Sequence, residues 1–435
     1  MKKNFLIIFS ILMFSTAVYA GNIVKVDSLK VTPTFREFFA DVHLQHLVEQ
    51  AVDSNLDLRN ARLKIVEAQA TLGNARNALL PKVTFDANGD IQRFGDSSLK
   101  TYKVGATPSW EVDISGRLRN SKYSAAASLE SSYAYVLTVQ TELVATLAKS
   151  YYTLLMLDEQ KSISMRSLSN WQNTVETLKA LRDAGYNNET AVLQARANIV
   201  GLQSSILTLD KSISDTESSI CLMLNTPFHH ILRDNLSVQS FPEDIATNGV
   251  PLIMVDQRPD VCQARLQLLA TGYDTKVARA MFYPQLTLSG FLGWTNNGLE
   301  VSNPGKILMD ALGALTMPLL NHGAIKSNLE IAKSRQEQAK LVFQKSILAA
   351  GKEVNDALTE WQTAKHQIEK SNLQISILKE TVDKTKLLME NTSSTYLEVL
   401  TAEQSLLSAE MSLTQNQYSR IEAIITLYKA MGGGI

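Results

Sequence analysis

Cysteine, proline and glycine are scarce in this chain: 435 residues hold 2 Cys, 10 Pro and 20 Gly. Two cysteines, Cys221 and Cys262, exclude a disulfide framework and a cysteine-rich zinc site. So few Pro and Gly exclude a loop-rich fold and favour long regular elements. An excess of one charge is missing too. With 42 Lys+Arg against 43 Asp+Glu the formal net charge is −1, which argues against a broad nucleic-acid surface. Hydrophobic residues at 45% and charged residues at 20% exclude wholesale disorder. The length allows two or three domains with a large core. Catalytic signatures are missing. His43, His46, His229, His230, His322 and His366 form no metal-ligand spacing, and no phosphate loop or nucleophile elbow occurs. No enzymatic activity, cofactor or metal is therefore expected. His229-His230, just after Pro227, reads as a polar loop, and the spacing of the two cysteines leaves open whether they pair.

What is present begins with a targeting segment over residues 1–20. Lys2 and Lys3 form a positive start, and the apolar run Phe5 to Phe14 is too short to span a bilayer. Val18 and Ala20 occupy the −3 and −1 positions of a small-residue cleavage site, which makes Gly21 the expected mature N-terminus. A bacterial lipoprotein needs Cys at that place, so a lipid anchor is not expected. No later apolar run reaches about 18 residues.

An internal duplication organises the remainder. Asp57-Leu-Arg-Asn-Ala-Arg62-Leu recurs 203 residues on as Asp260-Val-Cys-Gln-Ala-Arg265-Leu. Ala75-Arg76 to Pro81 recurs at the same offset as Ala278-Arg279 to Pro284, and Asp183–Ala195 matches Glu390–Ala402 at offset 207. A period near 205 is too long for a solenoid repeat. We expect an N-terminal segment over 21–40, a first repeat over 41–226, a linker over 227–253 and a second repeat over 254–435.

Each half follows one plan. A helix is expected over about 42–79 and 259–282, where Pro259 and Asp260 suit a helix start. Residues 117–184 and 352–431 contain neither Gly nor Pro. The first stretch alone makes a helix of about 100 Å, too long to be buried by itself, so it must pack beside other helices. Ile347, Val354, Trp361, Ile368, Ile375, Val382 and Met389 recur every seven residues, as do Ala350, Ala357, Ala364, Ser371 and Leu378. A strict heptad imposes left-handed supercoiling. Leu147, Leu154, Leu168 and Val175 echo it, interrupted by Lys161.

Between the helices lie strands. Val83, Phe85, Ala87, Gly89 and Ile91 alternate with Lys82, Thr84, Asp86, Asn88 and Asp90. Val104, Ala106, Pro108, Trp110 and Val112 alternate with Lys103, Thr107, Ser109, Glu111 and Asp113. This is the length and pattern of an outer-membrane strand with one lipid face and one wet face. The strands fall at about 81–94 and 101–114 and, less cleanly, at about 284–296 and 305–319, where Leu308, Leu312 and Ala314 break the polar face. Four strands are too few to close a barrel, and open edges are not tolerated in lipid, so several chains must share one barrel.

Trp110-Glu-Val-Asp-Ile-Ser-Gly116-Arg117 resembles the strand-to-helix junction of the TolC-like outer-membrane efflux proteins. So do Gln257-Arg258-Pro259-Asp260, Tyr283-Pro284 to Gly290, Ala184-Gly185-Tyr186 and the ending Ala430-Met-Gly-Gly-Gly434, in that family's order along the chain. The resemblance implies a fold that is mainly α with a membrane β part. Duplicated long-helix hairpins form an α-helical tunnel, and four strands per chain contribute to a shared transmembrane β-barrel, twelve strands in a homotrimer. It places the strand–helix junction at Asp113, Gly116, Arg117 and Gly323. Contacts to a periplasmic membrane-fusion adaptor fall on the hairpin tips, Asp183, Gly185, Tyr186 and Asn187 in one and Asn391, Thr392, Ser393 and Ser394 in the other. Thr392 stands where the family usually has Gly. The periplasmic gate falls on Glu398 and on Thr401, which replaces a second acid.

The expected function is a passive exit duct in the outer membrane of a Gram-negative bacterium, served by an adaptor and an inner-membrane pump, foremost of the RND type. The same channel serving type I protein secretion is an alternative, and a structural coiled-coil envelope protein is another. The alternating strands speak against the last, since a rod has no use for a lipid face.

Overall fold

The computed structural model describes residues 35–95, 97–186, 188–239, 241, 258–296, 306–317, 322–390 and 396–433. The targeting segment, Asn187 and the second tip (Asn391, Thr392, Ser393, Ser394) lie outside the described residues. After a helical turn at Phe35–Phe38, the order is α1 (Val42–Ser54), α2 (Leu56–Asn77), β1 (Lys82–Phe94), β2 (Ser97–Val112), α3 (Arg117–Asp183) and α4 (Glu189–Met223). The second half gives α5 (Pro259–Ala280), β3 (Gln285–Thr295), β4 (Lys306–Thr316), α6 (His322–Glu390) and α7 (Tyr396–Ala430).

Two helices dominate. α3 has 67 residues and α6 has 69, and each turns back into a helix of 35, α4 or α7. Most of the two heptad seams of α6 is its buried face, Val354, Trp361, Ile375, Val382 and Met389 on one and Ala350, Ala357 and Ala364 on the other, all 9% exposed or less, whereas Ile347 at the start of the first is 38% exposed and Ile368 and Leu378 are half-buried. Small residues on the second seam let a neighbouring backbone approach closely. Lys161, which interrupts the matching seam of α3, turns outward to Asp210 on α4 at 2.6 Å. Along α3, α2 lies beside the end nearer the sheet, with Gln69 donating to the Tyr133 hydroxyl at 3.0 Å. α4 covers the far end through Leu202 and Ile206 against Ile163 and Trp171.

The helix expected over 42–79 is two helices. Asn55 takes an extended conformation, accepts from Leu58 N and so caps α2. Its Nδ2 donates to Met223 O at 2.9 Å, and Ser54 Oγ donates to Leu224 O at 2.7 Å. The break ties the N-terminal helices to the end of α4. Nearby sits the main core, built on Phe38, Phe39, Tyr151, Tyr152, Tyr428 and Ile425. The Tyr151 hydroxyl donates to Asp41 Oδ2 at 2.7 Å, and Asp41 also caps α1 at Leu44 N. Burial first, then the Asp41 carboxylate, pushes the Tyr151 pKa up, so the phenol keeps the proton it donates.

The four strands form one antiparallel sheet in the order β1-β2-β3-β4. Its register puts Phe85 opposite Ala106, Ala87 opposite Val104, Trp110 opposite Leu288, and Leu292 opposite Met309. The apolar sides of all four strands therefore share one face. On it Val83, Phe85, Ile91, Ile307, Met309 and Leu315 are 66–77% exposed. An apolar patch of that extent marks a surface meant for lipid or a partner. The opposite face carries Thr84, Asp86, Asn88, Lys103, Thr107, Ser289 and Asp310. Among the described residues no strand pairs with the outer edge of β1 or of β4.

Candidate functional sites

At the strand–helix junction, β2 ends at Val112 and α3 starts at Arg117. Gly116 makes the turn with φ 76°, a conformation that costs a residue with a Cβ about 1 kcal/mol. As N-cap, Gly116 brings no side chain, and Asp113 does the capping from three residues upstream. Its Oδ1 accepts from Leu118 N and its Oδ2 from Arg119 N, both at 3.0 Å, with Arg119 Nε at 3.1 Å. The carboxylate thereby sits on the positive end of the helix. Arg117 turns back to grip Glu111 on β2, its Nη2 reaching both carboxylate oxygens at 2.7 Å. Trp110 Nε1 donates to Leu79 O at 3.0 Å and fastens the end of the first hairpin's entry helix region to β2. Gly323, the matching position of the second half, lies instead in the first turn of α6 with nothing within 4 Å of a Cβ.

The first tip closes α3 with paired backbone bonds, Gly185 N to Arg182 O and Tyr186 N to Leu181 O, both 2.9 Å. Gly185 has φ 83°, as this helix ending requires. Asn188 then caps α4 at Ala191 N. Arg182 bridges the turn, Nη1 to Glu189 at 2.7 Å and Nη2 to Asp183 at 2.7 Å. Its hydrogen bond to Glu189, then that to Asp183, raises its pKa above the ordinary guanidinium value. Tyr186 projects outward, 71% exposed. Leu178 on α3 and Val192 on α4 pack with Met389 on α6 and with Val399 and Leu400 on α7. One apolar cluster therefore brings the ends of both hairpins together.

Glu398 and Thr401 stand one turn apart on α7, next to that cluster, and both are exposed. The Thr401 hydroxyl donates to Leu397 O at 2.7 Å, so its polarity is turned onto the helix. The structure places Glu398, Thr401, Asp183, Gly185 and Tyr186 at one end of the helical hairpins. Asp113, Gly116 and Arg117 lie at the other end of α3, about 100 Å away.

Two buried charged groups join elements far apart in sequence. Arg258, 5% exposed in its side chain, holds Asp260 at 2.9 Å and Glu353 on α6 at 2.7 Å. Burial works against its charge, and these two carboxylates more than offset that, so its pKa is raised. The Arg-Pro-Asp motif is thus the joint between α5 and α6. Glu403 on α7 accepts from Thr174 on α3 at 3.1 Å and pairs with Lys386 on α6 at 2.7 Å. Neither Glu353 nor Glu403 carries a local sequence signal, because the partners lie on other helices. The glycine ending has its own geometry: Gly432 N bonds Lys429 O and Gly433 N bonds Tyr428 O, closing α7 against Thr141. Cys221 and Cys262 are both free and buried in separate apolar clusters.

A lipid-type sheet face, two sheet edges unpaired among the described residues and helical hairpins of about 100 Å define a class: a subunit of a membrane duct whose barrel is shared between chains. Comparison with known proteins agrees. Residues 47–226 and 253–433 match the model of the "Outer membrane efflux protein" family. The cation efflux system protein CusC of Escherichia coli O6:H1 is 28% identical over 404 residues, covering 92% of this chain and 88% of that one. The probable outer membrane lipoprotein SilC of Salmonella typhimurium is 27% identical over 411 residues, covering 92% and 88%. A crystal structure of CusC superposes with a TM-score of 0.84 at 26% identity, over 94% of this chain and 96% of that one. The chain belongs to the outer membrane efflux protein family, and it is an outer-membrane efflux channel.

Proposed function

We propose that the chain is the passive exit duct of a tripartite system, working as a homotrimer in contact with outer-membrane lipid. A periplasmic membrane-fusion adaptor docks on the hairpin tips, and an inner-membrane pump of the RND type supplies the energy. The observation that carries the reading is the sheet: a continuous apolar face with two open edges, which lipid tolerates only after closure with other copies. Cargo is drugs, metal ions or other small molecules handed over by the pump; the relative CusC bears the name of a cation efflux system. Glu398 lines the tunnel entrance as a ring of carboxylates, one from each chain, with Thr401 beside it. The mature protein begins at Gly21, after a cleaved targeting segment, and the relative SilC bears the name of a probable outer membrane lipoprotein. The test is purification from outer-membrane fractions, with light scattering for mass and planar-bilayer recording for conductance. The expected result is three chains that conduct; a soluble monomer that does not conduct would overturn the reading.

A further inference from the structure

On the wet face of the sheet lies an aromatic ring that water does not reach. Phe291 on β3 is 4% exposed, although its neighbours on that face of the strand include Ser289 and Thr295. The ring lies over Gly293, two residues further on, and over Gly105, the partner of Gly293 on β2. A Cβ on Gly105 would come within 2.7 Å of Phe291 Cζ, and one on Gly293 within 2.6 Å. Backbone blocks the same space, Leu292 O at 2.4 Å and Val104 O at 2.2 Å. The opposed glycines are therefore a bare floor filled by the ring, as aromatic side chains cover glycines elsewhere in sheets. Above the ring is Lys103, two residues before Gly105 on the same face, with Nζ 3.9 Å from the ring centroid. That is within cation–π range.

We propose that this stack is a charge-selecting element of the barrel interior: Phe291 fixes the Lys103 ammonium in the water-filled lumen, where it sets the preference of the outer exit between anionic and cationic solutes. Lysine on a strand is otherwise a mobile charge on a long flexible stem. Here a buried ring gives it one station, at mid-length of β1, opposite Asn88. Asp86 and Asp90 on β1 and Asp310 on β4 share the face, and Lys306 on β4 falls in the same row as Lys103, both registered on Thr295. Every copy in a closed barrel repeats the ammonium at the same height, a ring that admits solutes bearing carboxylate, phosphate or sulfonate groups. Rings of fixed charge select ions in this way in other pores.

The inference rests on the channel reading, and the test separates the two. Purified channels are placed in a planar bilayer under a dilute KCl gradient, and the reversal potential gives the potassium-to-chloride permeability ratio. Lys103→Gln should raise that ratio about twofold or more, the scale of a unit charge roughly 10 Å from the ion path in water. Lys103→Arg, which keeps charge and stacking, should leave it at the wild-type value. Phe291→Leu keeps an apolar cover on the glycines but frees the ammonium, and should shift the ratio part of the way. Wild-type channels whose ratio ignores Lys103→Gln and Phe291→Leu would overturn the inference alone, leaving the stack as a register device. A wild-type protein that passes no ions would overturn the channel reading and this inference with it.

Discussion

Glu403 offers a test in which two substitutions together should do less harm than one. Its side chain is 4% exposed, 2.7 Å from Lys386 Nζ, with Thr174 Oγ1 at 3.1 Å. Lys386→Met strips a buried carboxylate of its countercharge. Breaking a fully buried pair in this way costs about 3–5 kcal/mol. The Lys386 end is 34% exposed, so water takes over part of the lost interaction, and we expect about 2 kcal/mol. Glu403→Gln keeps an acceptor for Thr174 and removes the charge, at a cost of about 1 kcal/mol. Lys386→Met with Glu403→Met removes both charges and leaves an apolar contact, which should come out near zero. Hydrogen exchange of the α7 amides in the purified channel reads this locally. The single Lys386→Met variant should exchange about 30-fold faster at the start of α7, and the double variant near the wild-type rate. A double variant as fast as Lys386→Met would refute the reasoning, because it would make the pair a net stabiliser rather than a charge that must not be left alone.

Asp113→Ala removes the cap of α3 and should lower the stability of the junction by about 1–2 kcal/mol, seen as faster exchange at Leu118 and Arg119 with the sheet unaffected. Gly185→Val strains a turn at φ 83° by about 1 kcal/mol, and Tyr186→Asp alters its exposed side chain. Both should assemble at normal levels yet lose efflux in a tolerance assay; full tolerance would exclude the tip as the docking point. Divalent cations added on the periplasmic side should block single channels, and Glu398→Ala should weaken that block, whereas Thr401→Ala should not.

Periodicity made the scaffold legible. The seven-residue spacing through Val354, Trp361, Ile375, Val382 and Met389 is the buried seam of α6, and the alternation through Val83, Phe85 and Ala87 is the apolar face of β1. β4 was harder to read because Leu308 and Leu312 stand on its wet side; Leu308 lies opposite Gly293, which offers no side chain of its own. The division at Asn55 stayed hidden because the apolar pattern runs through it, while its stabilising partner, Met223 O, is 168 residues away. For the same reason Glu353, Glu403 and the Phe291 stack gave no signal: each depends on which strands and helices become neighbours. Asp113, Gly116 and Arg117 lie within one short segment, and a capping carboxylate before a glycine turn is local chemistry that a sequence can display.

The central claim is that the sheet is a barrel wall with lipid on one side and water on the other. Cysteine labelling across one strand tests it most directly, since native Cys221 and Cys262 are 2% and 1% exposed and give little background. Single cysteines at Phe85, Asp86, Ala87 and Asn88 would be treated in intact outer membranes with a water-soluble maleimide and, separately, with a lipid-soluble one. Asp86→Cys and Asn88→Cys should react with the first reagent, and Phe85→Cys and Ala87→Cys only with the second. Equal reaction of all four positions with the water-soluble reagent would contradict it, because both faces of the strand would then be wet.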